Sequence, residues 1–237
     1  MLFHSSYTAL LTPFKDNQLD INAYRNLVDF QIENGTHGLV PVGTTGESPT
    51  LSHDEHKKLV EVCVEQANGR VPVIAGAGSN STSEAVDFVK HACAAGAEGL
   101  LVVTPYYNKP TQSGLLAHYN ELIKNSSKPI IIYDIPGRSV IKMSDNTMAE
   151  LAKNNLIVGV KDATADLARP TRLQNLIGDD FIQLSGEDGT ALAYLAAGGH
   201  GCISVTANIA PNLLSRMHNA WNQGDITNAQ DINKKLM

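Results

Sequence analysis

The sequence predicts one closed (β/α)8 barrel, and three observations predict it. Short apolar runs rich in β-branched residues alternate with longer amphipathic stretches along nearly all of the 237 residues. There are eight such pairs with no long insertion, the count that an eight-stranded barrel requires. Runs such as Leu100-Leu101-Val102-Val103 and Pro129-Ile130-Ile131-Ile132 are apolar on both faces, as suits parallel strands covered on both sides. A doubly wound open sheet is built from the same units, but so regular a series favours closure.

The elements follow in order. A strand over 7–12 leads to a helix over 21–34. A second strand, 38–42, runs into Gly43-Thr44-Thr45-Gly46-Glu47 before a helix over 52–67. That helix has a readable start, because Ser52 followed three residues later by Glu55 matches a capping box. The third pair is 71–75 and 81–95, where Ser81 and Glu84 repeat the same signal. The fourth strand, 99–103, opens into Thr104-Pro105-Tyr106-Tyr107 ahead of a helix over 113–125. The fifth, 129–133, ends at Tyr133 and passes through Asp134-Ile135-Pro136-Gly137 to Arg138, with a helix over 145–154. The sixth, 157–161, ends at Lys161 and precedes 168–176. The seventh, 181–185, meets Gly186 before 188–197, and the eighth, 201–205, carries Ile203 ahead of 211–222. No linker or second-domain boundary interrupts residues 1–224, so that stretch reads as one catalytic domain. Residues 225–237 read as the start of a further helix.

Composition narrows the function. A net charge of −6 is mild and argues against a general nucleic-acid binder. No apolar run approaches the roughly 18 residues that span a membrane. Met1-Leu2-Phe3-His4-Ser5-Ser6 lacks the basic and apolar segments of a secretion signal. Cys63, Cys93 and Cys202 are far apart, with neither a metal spacing nor a disulfide framework, so a cytoplasmic location is expected.

Chemistry in such barrels gathers where strands end and the following loops begin. Lys161 closes the apolar run Leu156-Ile157-Val158-Gly159-Val160, and an amine held there is costly to charge. A neutral lysine amine can attack a ketone and form a Schiff base. Taken alone, the segment fits a strand-terminal lysine reaching solvent better than a reactive one. Strand alternation puts Gly159 and Lys161 on one face and Val158 and Val160 on the other, and the glycine would leave space around the lysine stem. Gly43-Thr44-Thr45-Gly46 offers hydroxyls and backbone N–H groups that suit a carboxylate or phosphate, but it lacks the Gly-Lys-Ser/Thr ending of a nucleotide loop. Gly76-Ala77-Gly78-Ser79-Asn80-Ser81 lacks the third glycine of a dinucleotide fingerprint. Tyr133 is either an ordinary strand aromatic or a proton shuttle. Arg138 is either a surface arginine or a bidentate carboxylate clamp. His53 and His56 stand three apart at a helix start, but the HExxH arrangement is absent and no third ligand is evident, so no metal is expected.

The stretches GTTGES at 43–48, GLLVVTPYYNKP at 99–110, IIIYDIPGR at 130–138, IVGVKDAT at 157–164 and GGHGCISVTAN at 198–208 together resemble the dihydrodipicolinate synthase family. They span most of the barrel in the family's order and spacing. The resemblance implies a class I aldolase-type lyase of lysine and diaminopimelate biosynthesis. Lys161 would form a Schiff base with pyruvate, and the enamine would add to L-aspartate 4-semialdehyde. Thr44, Tyr133 and Tyr107 would form a proton relay, with Tyr107 supplied by the neighbouring subunit of a tight dimer inside a homotetramer. Thr45 would bind the pyruvate carboxylate, Arg138 the semialdehyde carboxylate, and Gly186 and Ile203 would line the pocket. No cofactor is implied, because the lysine is itself the electron sink. Ser48, His53, His56, Gly78, Asn80, Glu84 and Tyr106 match positions that bind inhibitory L-lysine in the members that respond to it, with Glu84 facing its ammonium.

Two points qualify the resemblance. Chains of the family continue past this end into a C-terminal bundle of helices, here largely absent, so 225–237 is expected to be a capless, fraying helix start. Within the same family, N-acetylneuraminate lyases and keto-deoxy-sugar aldolases share equivalents of Lys161 and Tyr133, whereas Arg138 and the Thr44-Thr45 pair favour the synthase. From another class, a non-catalytic lysine-sensing subunit is the alternative.

Overall fold

The structure, a computed structural model, describes residues 3–237. Eight strands form the barrel: β1 (Ser5–Ala9), β2 (Gly38–Val40), β3 (Ile74–Gly76), β4 (Gly99–Val103), β5 (Ile130–Asp134), β6 (Ile157–Asp162), β7 (Ile182–Ser185) and β8 (Gly201–Ser204). Their order, β2-β1-β8-β7-β6-β5-β4-β3, is parallel throughout. The ring closes between β2 and β3 through a Leu39–Val73 bridge, with Leu39 N–H donating to Pro72 O and Gly76 N–H to Pro41 O, each at 3.0 Å. The closed barrel expected from the sequence is therefore the fold.

Around it lie α1 (Ile21–Glu33), α2 (His53–Ala67), α3 (Thr82–Ala95), α4 (Gln112–Asn125), α5 (Asp145–Ala152), α6 (Arg169–Ile177), α7 (Ala191–Ala196) and α8 (Pro211–Asn222). Outward side chains such as Leu39, Leu100, Ile132 and Val160 form the core between strands and helices with Val60, Val89 and Leu122. Inward ones, including Tyr7, Val40, Ile74, Leu101, Ile131, Leu184 and Ile203, fill the barrel interior. Glycines make room for its aromatic floor. A Cβ added to Gly38 would lie 2.0 Å from the Tyr7 ring, and one added to Gly99 would lie 2.7 Å from the Phe3 ring.

Several expectations needed correction. The capping box at Ser52 and Glu55 is formed, but at Ser81 it is not: the Ser81 hydroxyl lies 3.1 Å from that of Ser83, and the Glu84 carboxylate turns to Ser79 and His53. The seventh helical stretch begins as a 3-10 turn, Asp188–Thr190, before α7. A short hairpin, Phe14–Lys15 with Gln18–Leu19, went unforeseen. Its turn residues Asp16 and Asn17 both adopt positive φ, the geometry that short polar side chains tolerate. The last segment is not capless: α9 (Ile226–Leu236) is capped by the Asp225 carboxylate, which accepts from Asn228 N–H at 3.2 Å. It buries Ala229 and Ile232 in a cluster with Leu214 and Met217 of α8. No helix among the described residues is long and apolar enough to cross a membrane.

The Gly38–Tyr7 contact yields a test. Gly38→Ala should destabilise the protein by about 1–3 kcal/mol through overpacking, read as a lower urea midpoint at unchanged m.

Candidate active site

Lys161 and Tyr133 are partners in register across β5 and β6, both pointing into the barrel. The lysine amine lies 4.3 Å from the centroid of the Tyr133 ring. Lys161 is only 5% exposed. Burial lowers its pKa to about 8, against the opposing pull of Cys202 and Asp188. At pH 7 about a tenth of the amine is therefore the free base. The space expected beside its stem is not empty, since a Cβ on Gly159 would lie 2.3 Å from Ile182 O; the glycine lets β7 approach. Nor do Val158 and Val160 share a face. A register shift pairs Ile130 with Ile157 but Ile131 with Gly159, so Val158 packs against the interior cluster while Val160 joins the outer core.

Tyr133 also lines a cavity of about 270 Å³ whose walls include Thr44 and Arg138, while Lys161, Thr45, Gly186 and Ile203 are not part of its lining. The Tyr133 phenol is pushed up by burial and drawn back by a hydrogen bond with Thr44 and by the charge of Arg138. Arg138 follows β5 in the short helix Pro136–Ser139 and forms no intrachain ion pair among the described residues, which leaves a cation free for an anionic group. Thr44 and Thr45 sit in a turn entered through Val42 at φ +48°, a conformation costly for a β-branched residue. Gly76 permits it, because a Cβ there would lie 2.3 Å from Val42 O. The turn is braced from below by the Thr12 hydroxyl, which donates to Gly46 O at 2.7 Å.

The remaining expected residues divide. Ile203 is fully buried in the barrel interior, and Gly186 caps β7 with its N–H donating to Asp162 O at 2.7 Å. Tyr107 is not brought to this chain's own site. It projects from the loop after β4, 87% exposed and at φ +70°. Ser48, Gly78 and Tyr106 line the same cavity as Thr44 and Arg138. His53 Nε2 meets Glu84 Oε1 at 2.6 Å, and Asn80 contributes a carbonyl to Asn108 Nδ2 at 3.0 Å. His56 is no open ligand surface. It is 2% exposed, stacked on Phe88 at 3.9 Å, and burial lowers its pKa to about 4. Among the described residues no group of three or more His, Cys, Asp or Glu side chains is arranged to hold a metal ion.

Sequence reasoning missed the surroundings of the amine. Cys202 is fully buried with its thiol 3.9 Å from Asp188 Oδ1, and Asp188 Oδ2 accepts from Val205 N–H at 2.9 Å and Thr206 N–H at 3.0 Å. The only signal was position: Asp188 follows the end of the seventh strand and Cys202 precedes Ile203 in the eighth.

A family model described as the dihydrodipicolinate synthetase family matches residues 2–237. The chain belongs to this family. It is 60% identical over 235 residues to the 4-hydroxy-tetrahydrodipicolinate synthase of Bradyrhizobium diazoefficiens, covering 99% of this chain and 79% of that one. Among solved structures, the dihydrodipicolinate synthase of Aquifex aeolicus superimposes with a TM-score of 0.97 at 43% identity, over 99% of this chain and 80% of the other. The chloride-inhibited enzyme of Acinetobacter baumannii, complexed with pyruvate, gives 0.94 at 40% identity over 99% and 81%. The Cyanidioschyzon merolae enzyme with lysine bound gives 0.95 at 36% identity over 100% and 81%. The family's fold is thus this chain's fold, helix α9 included.

The buried amine has a consequence for stability. Folding lowers the pKa of Lys161 from 10.5 to about 8, so between these values the unfolded chain holds a proton that the folded chain has released. Stability from this group therefore rises with pH across that window, and below it the buried ammonium costs on the order of 3 kcal/mol. Lys161→Met should be more stable than the parent at pH 7, with the advantage shrinking between pH 8 and 10.5, as measured by urea unfolding.

Proposed function

We propose that the chain condenses pyruvate with L-aspartate 4-semialdehyde to give 4-hydroxy-tetrahydrodipicolinate, with Lys161 as the Schiff-base residue. The observation that carries this is the desolvated Lys161 amine against the ring of Tyr133, which itself lines a cavity walled by Thr44 and an Arg138 without an ion pair. Membership of the family supports the same reading.

The chemistry follows from these groups. The free amine of Lys161 adds to the pyruvate ketone, and the carbinolamine loses water to form the imine. The carboxylate of pyruvate rests on the hydroxyls and N–H groups of the Thr44-Thr45 turn. Loss of a methyl proton gives the enamine, whose carbon attacks the semialdehyde aldehyde. Arg138 holds the second substrate's carboxylate, and Tyr133 with Thr44 carries protons to and from the reacting centre. The amino group of the adduct then attacks the imine carbon, closes the ring and releases Lys161. Atoms balance with one water lost.

Tyr107 completes the relay from a second copy of the chain, which its exposure and its absence from its own chain's cavity lining support. The assembly is a homo-oligomer, in the family's manner a dimer of dimers. L-lysine acts as an inhibitor beside Ser48, Gly78 and Tyr106, which share the cavity with the reacting groups. The His53–Glu84 pair and Asn80 lie next to them, and His56 supports the site from behind by stacking on Phe88.

Borohydride reduction with pyruvate should leave a three-carbon adduct on the Lys161 peptide, and trapping should accelerate as pH rises through about 8. A folded sample with no adduct at Lys161 would overturn the assignment. Turnover with aspartate semialdehyde, set against N-acetylmannosamine, decides the second substrate. Titration calorimetry should show saturable binding of L-lysine, lost in Tyr106→Ala; a flat isotherm at millimolar lysine refutes that site.

A further inference from the structure

The one-residue step that turns Tyr133 and Lys161 into the barrel turns Asp134 and Asp162 outward, and these two are also in register on β5 and β6. Between them sits the guanidinium of Arg169, the first residue of α6, with no exposed surface. Its Nη1 donates to Asp134 Oδ2 at 2.7 Å and lies 3.6 Å from Asp162 Oδ1. Its Nε donates to Asp145 Oδ1 at 2.9 Å, and its Nη2 to the carbonyl of Met143 at 2.8 Å. Asp134 Oδ1 in turn accepts from Met143 N–H at 3.3 Å. One side chain thus ties the ends of the two reactive strands together, along with both ends of the 134–143 loop that carries Arg138.

An ion cluster this dry adds little net stability, because desolvation offsets the attraction. What it provides is geometry, since the planar fork directs its N–H groups in fixed directions. Asp162 is coupled to it by charge at 3.6 Å, while its Oδ1 accepts from Thr164 N–H at 2.9 Å and its Oδ2 has no hydrogen-bond partner. The other cations nearby do not duplicate the role. Arg172 pairs with Asp145 and Asp166, and Lys142 with Asp166, all on the outer side.

We infer that Arg169 is a positioning residue: from outside the barrel it sets the spacing of Tyr133 and Lys161 and holds the Arg138 loop for the second substrate. The inference rests on the Schiff-base reading above. A displacement of about 1 Å at reacting atoms costs up to a hundredfold in rate, so a support one residue away carries measurable weight.

The test compares the parent with Arg169→Lys, which keeps the charge but cannot bridge, and Asp145→Asn, which weakens one arm of the fork. Each is assayed well below its unfolding temperature. Arg169→Lys should slow borohydride trapping of pyruvate by about tenfold or more and raise KM for aspartate semialdehyde more than KM for pyruvate. Asp145→Asn should move both readouts the same way by about threefold. A lower unfolding temperature with unchanged trapping rate and unchanged KM values would show a merely structural role and overturn the inference. Should Arg169→Lys fail to fold, Asp145→Asn decides by the same readouts. Failure of the parent itself to trap pyruvate would refute the Schiff-base reading instead, so the two failures are distinct.

Discussion

The chemistry proposed for this chain depends on one strand pairing, that of β5 with β6. Their register sets Tyr133 opposite Lys161 inside a barrel already filled by Ile131, Ile182, Leu184 and Ile203. An amine in such surroundings loses hydration without gaining a directly bonded carboxylate, and its proton is held less tightly. The same exclusion of water that lowers the pKa suits the amine to the nucleophilic role proposed for it. The fold accepts a destabilising buried cation at neutral pH, and the role proposed for Lys161 requires the loosened proton that comes with it.

The polar groups around the pair share this logic of borrowed rigidity. The Thr44-Thr45 turn rests on a strained Val42, which Gly76 accommodates, and on Thr12 beneath Gly46. Arg138 stands on a loop whose two ends meet at Arg169. In each case the group that would touch substrate is on a loop, and the group that holds it belongs to the barrel wall. Ser48, Gly78 and Tyr106 open onto the same cavity, so a ligand seated there would share walls with Thr44, Tyr133 and Arg138 without any long-range path.

The barrel was legible because eight apolar runs alternate with eight amphipathic stretches, and the strand ends pointed to Thr44, Tyr133 and Arg138, which the fold brings to one cavity. What failed, failed for local reasons. Glu84 sits at the right spacing for a capping box, but the Ser79 hydroxyl and the His53 ring, both supplied by the fold, take its carboxylate. His56 matches a lysine-binding position by sequence, and Phe88 of the next helix covers its ring. The bulge beside Val158 has no signature in an unbroken apolar run, since any of its residues could be the one left unpaired.

Local sequence alone determined the order of the elements, the alternation that aims Lys161 inward, and the residue types at each strand end. Those are properties of backbone periodicity and side-chain chemistry, and neighbours in sequence suffice to express them. Tertiary structure decided which of these residues meet. Lys161 touches the Tyr133 ring, the field of Asp188 reaches its amine, and Arg169 fastens Asp134 beside Asp162 only because strands far apart in sequence close into a ring. Proximity and desolvation arise from that packing, and they are what distinguish a reactive lysine from an ordinary one.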